Sequence, residues 1–189
     1  MDERDLLLKK LREAVDLLEK CKEFSNLMPE VRVNLVYALP YAKTRMDVAG
    51  VDGRITVVKG YPKASGDIAF GVSDHMARLI ISIRKYEKSI RSGINFKYTS
   101  EIENYVKKFC DQEGLYFGYI DRRREPKKII EKDGQSAPWK IQYLFETYGK
   151  IPTIFYESEA LGKEPLFYIN RKDPIEVVKI ATKFSKQFY

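Results

Sequence analysis

The 189-residue chain has the length of one compact domain, and its 44% hydrophobic and 13% aromatic content is enough for a sizeable core. No run approaches the ~18 apolar residues of a membrane span, and the opening MDERDLLLKKLREAV is charged and periodic, unlike a signal peptide. Thirty-four Lys and Arg against 27 Asp and Glu give 34 − 27 = +7, a balance that suits nucleic acid or an anionic small molecule. The basic residues are scattered, apart from Arg122, Arg123, Arg124, Lys127 and Lys128, and no RNA-binding, zinc-finger or basic-zipper pattern accompanies them.

In chain order, Asp2–Asn26 reads as a helix, because Leu7, Leu8, Leu11, Val15, Leu18 and Cys21 recur at helical spacing. It is either a helix packed on the domain or a connector, giving a boundary between residues 1–27 and 28–189. VRVNLVYAL (Val31–Leu39) alternates and is β-branched, so it predicts a strand, and Asp52-Gly53 predicts a turn into a strand at Arg54–Val58. Gly60–Gly66, with Pro62 and two glycines, predicts a loop. Ser73 reads as the N-cap of a helix carrying Met76, Leu79, Ile80 and Ile83 on one face. A strand at Gly93–Tyr98, a helix at Ser100–Gln112 closed by Gly114, and a strand at Leu115–Ile120 follow. Next come a helix at Ala137–Tyr148, strands at Ile154–Tyr156 and Leu166–Ile169, and a helix at Pro174–Lys186 opened by Asp173-Pro174. The alternation predicts an α/β fold, a three-layer α/β/α sandwich around a mixed sheet.

Phe70-Gly71-Val72-Ser73-Asp74-His75 is the stretch richest in chemistry. Gly71 permits close approach of backbone to a ligand, and the following helix start offers free N–H groups and a positive dipole end, which favour phosphate or pyrophosphate. His75, the single histidine, would be favoured in its protonated form by a pyrophosphate and would donate to its oxygens. The bland alternative is a capped helix with a half-exposed histidine. Arg54 opens a strand and suits a two-pronged clamp on phosphate, or is simply solvated. Asp121, Arg122 and Glu125 lie at a strand end, where α/β folds place ligand contacts, or form a salt-bridged corner. Trp139 suits stacking on a heteroaromatic ring, with core packing as its alternative.

Other chemistries are set aside. Cys21 and Cys110 are distant and show no metal-ligand spacing, which indicates a reduced, cytoplasmic chain. One histidine rules against a His-rich zinc site, and no GxSxG turn supports a catalytic triad. No GxGxxG follows a strand, and Gly162-Lys163-Glu164-Pro165 lacks P-loop spacing.

Together, MPEVRVNLVYALPYA, DVAGVDGRI, FGVSDHMARLI, NFKY, DRRREP, SAPW and GKEP stand in the order found in ThiN-type thiamine-phosphate synthases, and the chain resembles that family from Met28 to the last helix. The resemblance implies a fold like that of class II aldolases, with a mostly antiparallel mixed sheet. It implies transfer of hydroxymethylpyrimidine from its pyrophosphate to thiazole phosphate, with release of pyrophosphate. On it, Arg54 and His75 take the family's functionally important positions. Asn34, Gly71, Ser73, Asp74, Asn95, Asp121, Arg122, Glu125, Trp139 and Lys163 become substrate-binding candidates, with Lys163 on the thiazole phosphate. Mg²⁺ is expected to accompany the pyrophosphate, its protein ligands unnamed. The helix over Asp2–Leu27 resembles the connector from a fused hydroxymethylpyrimidine phosphate kinase. The chain departs from the family pattern at Lys140, where glycine is common, and at Glu157-Ser158-Glu159; both departures are expected at the periphery of the site.

The competing reading is a thiamine-phosphate sensor of the kind found in transcriptional regulators, binding without turnover. One N-terminal helix is too short for the helix-turn-helix such regulators carry, and Arg54 and His75 together favour the enzyme. Nucleic-acid binding would rest on the +7 charge alone and be weak and salt-dependent. A homo-oligomer is left open by the sequence, and no membrane partner is expected.

Overall fold

The computed structural model describes residues 2–132 and 134–189. A seven-stranded sheet has the order β5-β2-β1-β6-β9-β8-β7 and is antiparallel except for the pair β7 and β8. Its strands are β1 (Leu35–Ala38), β2 (Val48–Val51), β5 (Ile68–Phe70), β6 (Ser92–Lys97), β7 (Phe117–Ile120), β8 (Ile154–Glu157) and β9 (Leu166–Arg171). β3 (Ile55–Val58) and β4 (Tyr61–Ala64) form a separate hairpin, tied back to the chain before β1 by the bridge Val33↔Ile55.

Side chains alternate across the sheet, so strands such as β1, β8 and β9 feed two cores. Leu35 and Tyr37 of β1, Ile154 and Tyr156 of β8, and Phe167 and Ile169 of β9 face α1 (Glu3–Glu19), α3 (Ser100–Glu113) and α6 (Pro174–Phe188). Val36, Ala38, Phe155, Leu166 and Tyr168 face α2 (His75–Arg84) and α5 (Ser136–Tyr148) instead. This is the expected three-layer α/β/α sandwich with a mostly antiparallel mixed sheet. The one remaining α-helix among the described residues, α4 (Lys127–Ile130), is a single turn leading towards α5.

α1 opens with a capping box in which Asp2 and Asp5 satisfy each other's backbone N–H groups. It ends at Glu19, and Lys22–Leu27 continue as a 3₁₀ turn rather than as the expected helix to Asn26. Leu7, Leu11, Val15 and Leu18 lie in the same core as β1, β6 and α6; Met1 lies outside the described residues. Gly114 (φ 63°) closes α3, and the Asp173 carboxylate caps α6 through the backbone N–H groups of Ile175 and Glu176.

Three local expectations are corrected. The stretch Gly60–Gly66 is not a loop: Tyr61–Ala64 pair with β3 around a tight turn in which Lys59 and Gly60 both have positive φ. Pro62 is tolerated because a two-stranded hairpin has open edges. The strand read at Val31–Leu39 begins only at Leu35, because Arg32 (φ 65°) breaks the extended run. Ser73 does not cap α2; Asp74 holds the N-cap position with helical dihedrals and makes no side-chain capping bond, its carboxylate accepting from Arg78 Nε at 3.1 Å instead.

Candidate functional site

A cleft of about 470 Å³ opens beside the N-terminus of α2, walled by the chain before β1, the start of β3, the start of α5 and the loop before β9. Its lining includes the cations of Arg32, Arg54, Arg78, Lys132, Lys140 and Lys163. Against them stand the carboxylates of Asp74, Glu157 and Glu164. The surplus of positive charge, beside helix N–H groups that no side chain caps, makes the cleft receptive to a multiply charged anion.

Arg54 and His75, some twenty residues apart in the chain, both open on this cleft. Arg54 has a left-handed backbone (φ 68°), as does Arg32 (φ 65°) on the neighbouring segment. Such conformations are costly for residues with a Cβ and persist where the surrounding structure imposes them. Here the reciprocal bonds between Val33 and Ile55 (3.2 and 2.7 Å) clamp the residues that follow each arginine. The Arg54 guanidinium donates to the Val31 carbonyl. Arg32 makes no side-chain ion pair or hydrogen bond among the described residues, and nothing in the sequence drew attention to it.

Asn34 and Asn95 reach the cleft but use both ends of their amides on neighbouring groups of the fold. Asn34 exchanges two bonds with the Val51 backbone (3.0 and 3.1 Å). Asn95 accepts from the Asn34 N–H (2.8 Å) and donates to the Arg32 carbonyl (2.9 Å). They hold the arginine-bearing segment in place. Ser73, Asp74 and Lys163 also line the cleft.

The remaining candidates do not line it. Gly71 holds a left-handed backbone (φ 77°) that favours glycine, a Cβ there would stand 2.6 Å from Met46 Sδ, and the residue is not part of the cleft lining. Asp121 lies outside the cleft, gripped by Arg123 at 2.8 and 2.9 Å. Trp139 packs against Tyr143, ring centroids 5.4 Å apart, on the core side of α5. Arg122 and Glu125 are buried beneath the cleft, paired at 2.7 Å.

What lies beneath the floor was not foreseen. Glu157, last residue of β8, projects to the same face as Tyr168 of β9, because Phe155↔Tyr168 and Glu157↔Leu166 are register pairs and the two residues are diagonal neighbours. The Glu157 carboxylate accepts from Arg122 Nη1 (2.7 Å), lies 2.5 Å from Lys140 Nζ, and accepts from the Tyr168 hydroxyl. The Tyr168 oxygen is in turn 2.9 Å from His75 Nε2. Ser136 completes the floor by donating to Glu125 at 2.5 Å. Lys140 and Glu157, expected at the periphery as departures from a family pattern, both line the cleft and pair with each other.

Burial opposes charge on Glu157, yet Lys140, His75 and Arg122 more than offset it and hold its pKa down at about 2. Burial pulls the Lys140 pKa below the ordinary lysine value, with Glu157 opposing. The Tyr168 hydroxyl is pushed well above its ordinary range by burial and by Glu157. His75 is exposed to the cleft, and the protein atoms packed around part of its ring, together with the nearby Lys140, move its pKa below the ordinary histidine value. A downward shift favours the neutral ring at neutral pH when no ligand is bound.

Residues 10–183 match the family model described as thiamine-phosphate synthase ThiN. The chain belongs to that family. It is 32% identical to the thiamine-phosphate synthase ThiN of Methanothermobacter thermautotrophicus over 96% of this chain and 93% of that one. It is 34% identical to the bifunctional thiamine biosynthesis protein ThiDN of Methanocaldococcus jannaschii over 93% of this chain but 40% of that protein's length. A crystal structure of the C-terminal domain of phosphomethylpyrimidine kinase superposes with a TM-score of 0.92 at 34% identity, covering 96% of this ThiN-family chain and all of the other. A sugar-phosphate aldolase from Thermotoga maritima shares the fold at a TM-score of 0.50 and 10% identity, covering 95% of this chain and 93% of that one. The aldolase-like architecture expected from the resemblance is therefore present. Among the described residues no group of three or more His, Cys, Asp or Glu is arranged for a metal, and no helix is long and apolar enough to cross a membrane.

Proposed function

We propose that this chain carries out the reaction for which its family is named, joining hydroxymethylpyrimidine pyrophosphate to thiazole phosphate to give thiamine phosphate and pyrophosphate. The observation that carries the reading is the convergence of Arg54, His75 and the uncapped start of α2 on one cation-lined cleft. The diphosphate sits with its oxygens towards Arg54 and the α2 N–H groups. The bond between the pyrimidine methylene carbon and the bridging oxygen breaks, its electron pair leaving with the diphosphate. The thiazole nitrogen then gives its lone pair to that carbon, forming the new C–N bond. Donors already in place where negative charge grows stabilise this step, each commonly by about 2.7–4 kcal/mol of barrier. Lys163, on the opposite wall, suits the phosphate of the thiazole.

Glu157 is taken up by Arg122, Lys140 and Tyr168, Glu164 accepts from the Glu30 and Val31 N–H groups, and Asp74 accepts from Arg78 Nε. A pre-built magnesium site does not fit these residues, so any Mg²⁺ arrives on the diphosphate, and no step here runs through it. A phosphomethylpyrimidine kinase is the natural supplier of the pyrimidine substrate, whether fused or separate, in the cytoplasm. The test is turnover of the two precursors by wild type, His75→Ala and Arg54→Ala, each checked for folding. The reading expects thiamine phosphate from wild type and at least about a tenfold loss in each variant. Tight binding of thiamine phosphate without turnover would instead make the chain a sensor.

A further inference from the structure

The polar chain beneath the cleft has a direction. The ionised Glu157 carboxylate can only accept, so the Tyr168 hydroxyl donates its single proton to it. The Tyr168 oxygen is then left to accept from His75, which places a proton on Nε2. We propose that Tyr168 and Glu157 are positioning residues that lock His75 as its Nε2–H tautomer, leaving Nδ1 as the proton-accepting nitrogen of the cleft. Nδ1 has no hydrogen-bond partner among the described residues.

The charges around the ring fit this role. Lys140 of α5, Arg122 after β7 and Lys163 before β9 disfavour an imidazolium, and Glu157 of β8 favours it. Without a bound anion the three cations outweigh the single carboxylate. A bound diphosphate adds several negative charges close to the ring and reverses that balance. Nδ1 then takes one proton from solvent, and the imidazolium gives it to an oxygen of the departing pyrophosphate, while Nε2–H stays on Tyr168. Glu157 supplies the counter-charge through the tyrosine and stays ionised because Arg122 and Lys140 hold it so. The order is that of an orienting carboxylate behind a histidine, with a hydroxyl interposed. This second half rests on the proposed reaction; the tautomer does not.

Because the chain has one histidine, nitrogen NMR of the imidazole reads the proposal directly. In the ligand-free wild type at neutral pH, Nε2 is expected protonated and hydrogen-bonded, with Nδ1 bare. Added inorganic pyrophosphate is expected to move the Nδ1 signal to its protonated position. In Tyr168→Phe, folded by circular dichroism, the Nε2–H signal is expected to lose its protection from exchange. Its kcat is expected to fall about tenfold with little change in KM. A neutral ring protonated on Nδ1 in the free wild type would overturn the proposal, as would a Tyr168→Phe protein with unchanged spectrum and kcat. Should that variant not fold, the wild-type spectra decide alone. Absence of any thiamine phosphate formation would defeat the assigned reaction while leaving the free-chain spectrum to judge the tautomer.

Discussion

Lys140 and Glu157 have side chains only 3% and 4% exposed and place their charges 2.5 Å apart. A buried pair of this kind adds little over an apolar pair of the same volume, because each ion gives up its hydration. Breaking one side is another matter, since the remaining charge is left without its partner. Glu157→Gln should destabilise the fold by about 3–5 kcal/mol, with Arg122 and Lys140 both losing an anion. Lys140→Met should cost less, because Glu157 keeps Arg122 and Tyr168. The double substitution should cost clearly less than the sum, read as denaturant midpoints in a double-mutant cycle; strict additivity would show that the two charges do not interact. At this scale the sequence was legible only in part. Arg54 and His75 were found through motifs, whereas Glu157 and Tyr168 meet through strand register and Arg32 stands out only by its backbone, neither of which leaves a local sequence mark.

Among the elements, the long periodic helices and the β-branched strands were legible because one face of each is buried and the pattern records it. β2 (VAGV) and β5 (IAF) were not: each is three or four residues long, and neither alternates between polar and apolar. β4 was hidden by Pro62, whose usual meaning is a loop. The Gly71 turn was legible; its left-handed backbone was not. Its backbone (φ 77°) and the nearness of Met46 predict that Gly71→Ala loses about 1–3 kcal/mol, chiefly from the left-handed conformation. Adding Met46→Ala relieves the contact and not the dihedral, so it should recover little of the loss in thermal denaturation. Full recovery would mean that packing alone demands the glycine.

For the molecule as a whole, α1 is part of the domain's own core. Leu11, Val15 and Leu18 are fully buried and Leu7 nearly so, and removal of each such side chain costs about 2–5 kcal/mol. Their sum rivals the ~5–15 kcal/mol by which domains are usually stable. A chain starting at Met28 should therefore fail to give a cooperative melting transition, and a fully folded truncated chain would show that the helix is dispensable. The overall sandwich was legible from the alternation of helices and strands. The cleft was not, because it exists only where the chain before β1, the start of β3, α2, α5 and the loop before β9 come together. That convergence also separates residues that the sequence grouped: Arg54 and His75 line the cleft, whereas Asp121 and Trp139 do not. The most direct measurement is thiamine phosphate formation by His75→Ala and Arg54→Ala beside Asp121→Ala and Trp139→Ala. Turnover should fall at least about tenfold in the first two and stay within a few-fold of wild type in the last two; equal losses in all four, or losses confined to the last two, would place the chemistry outside this cleft.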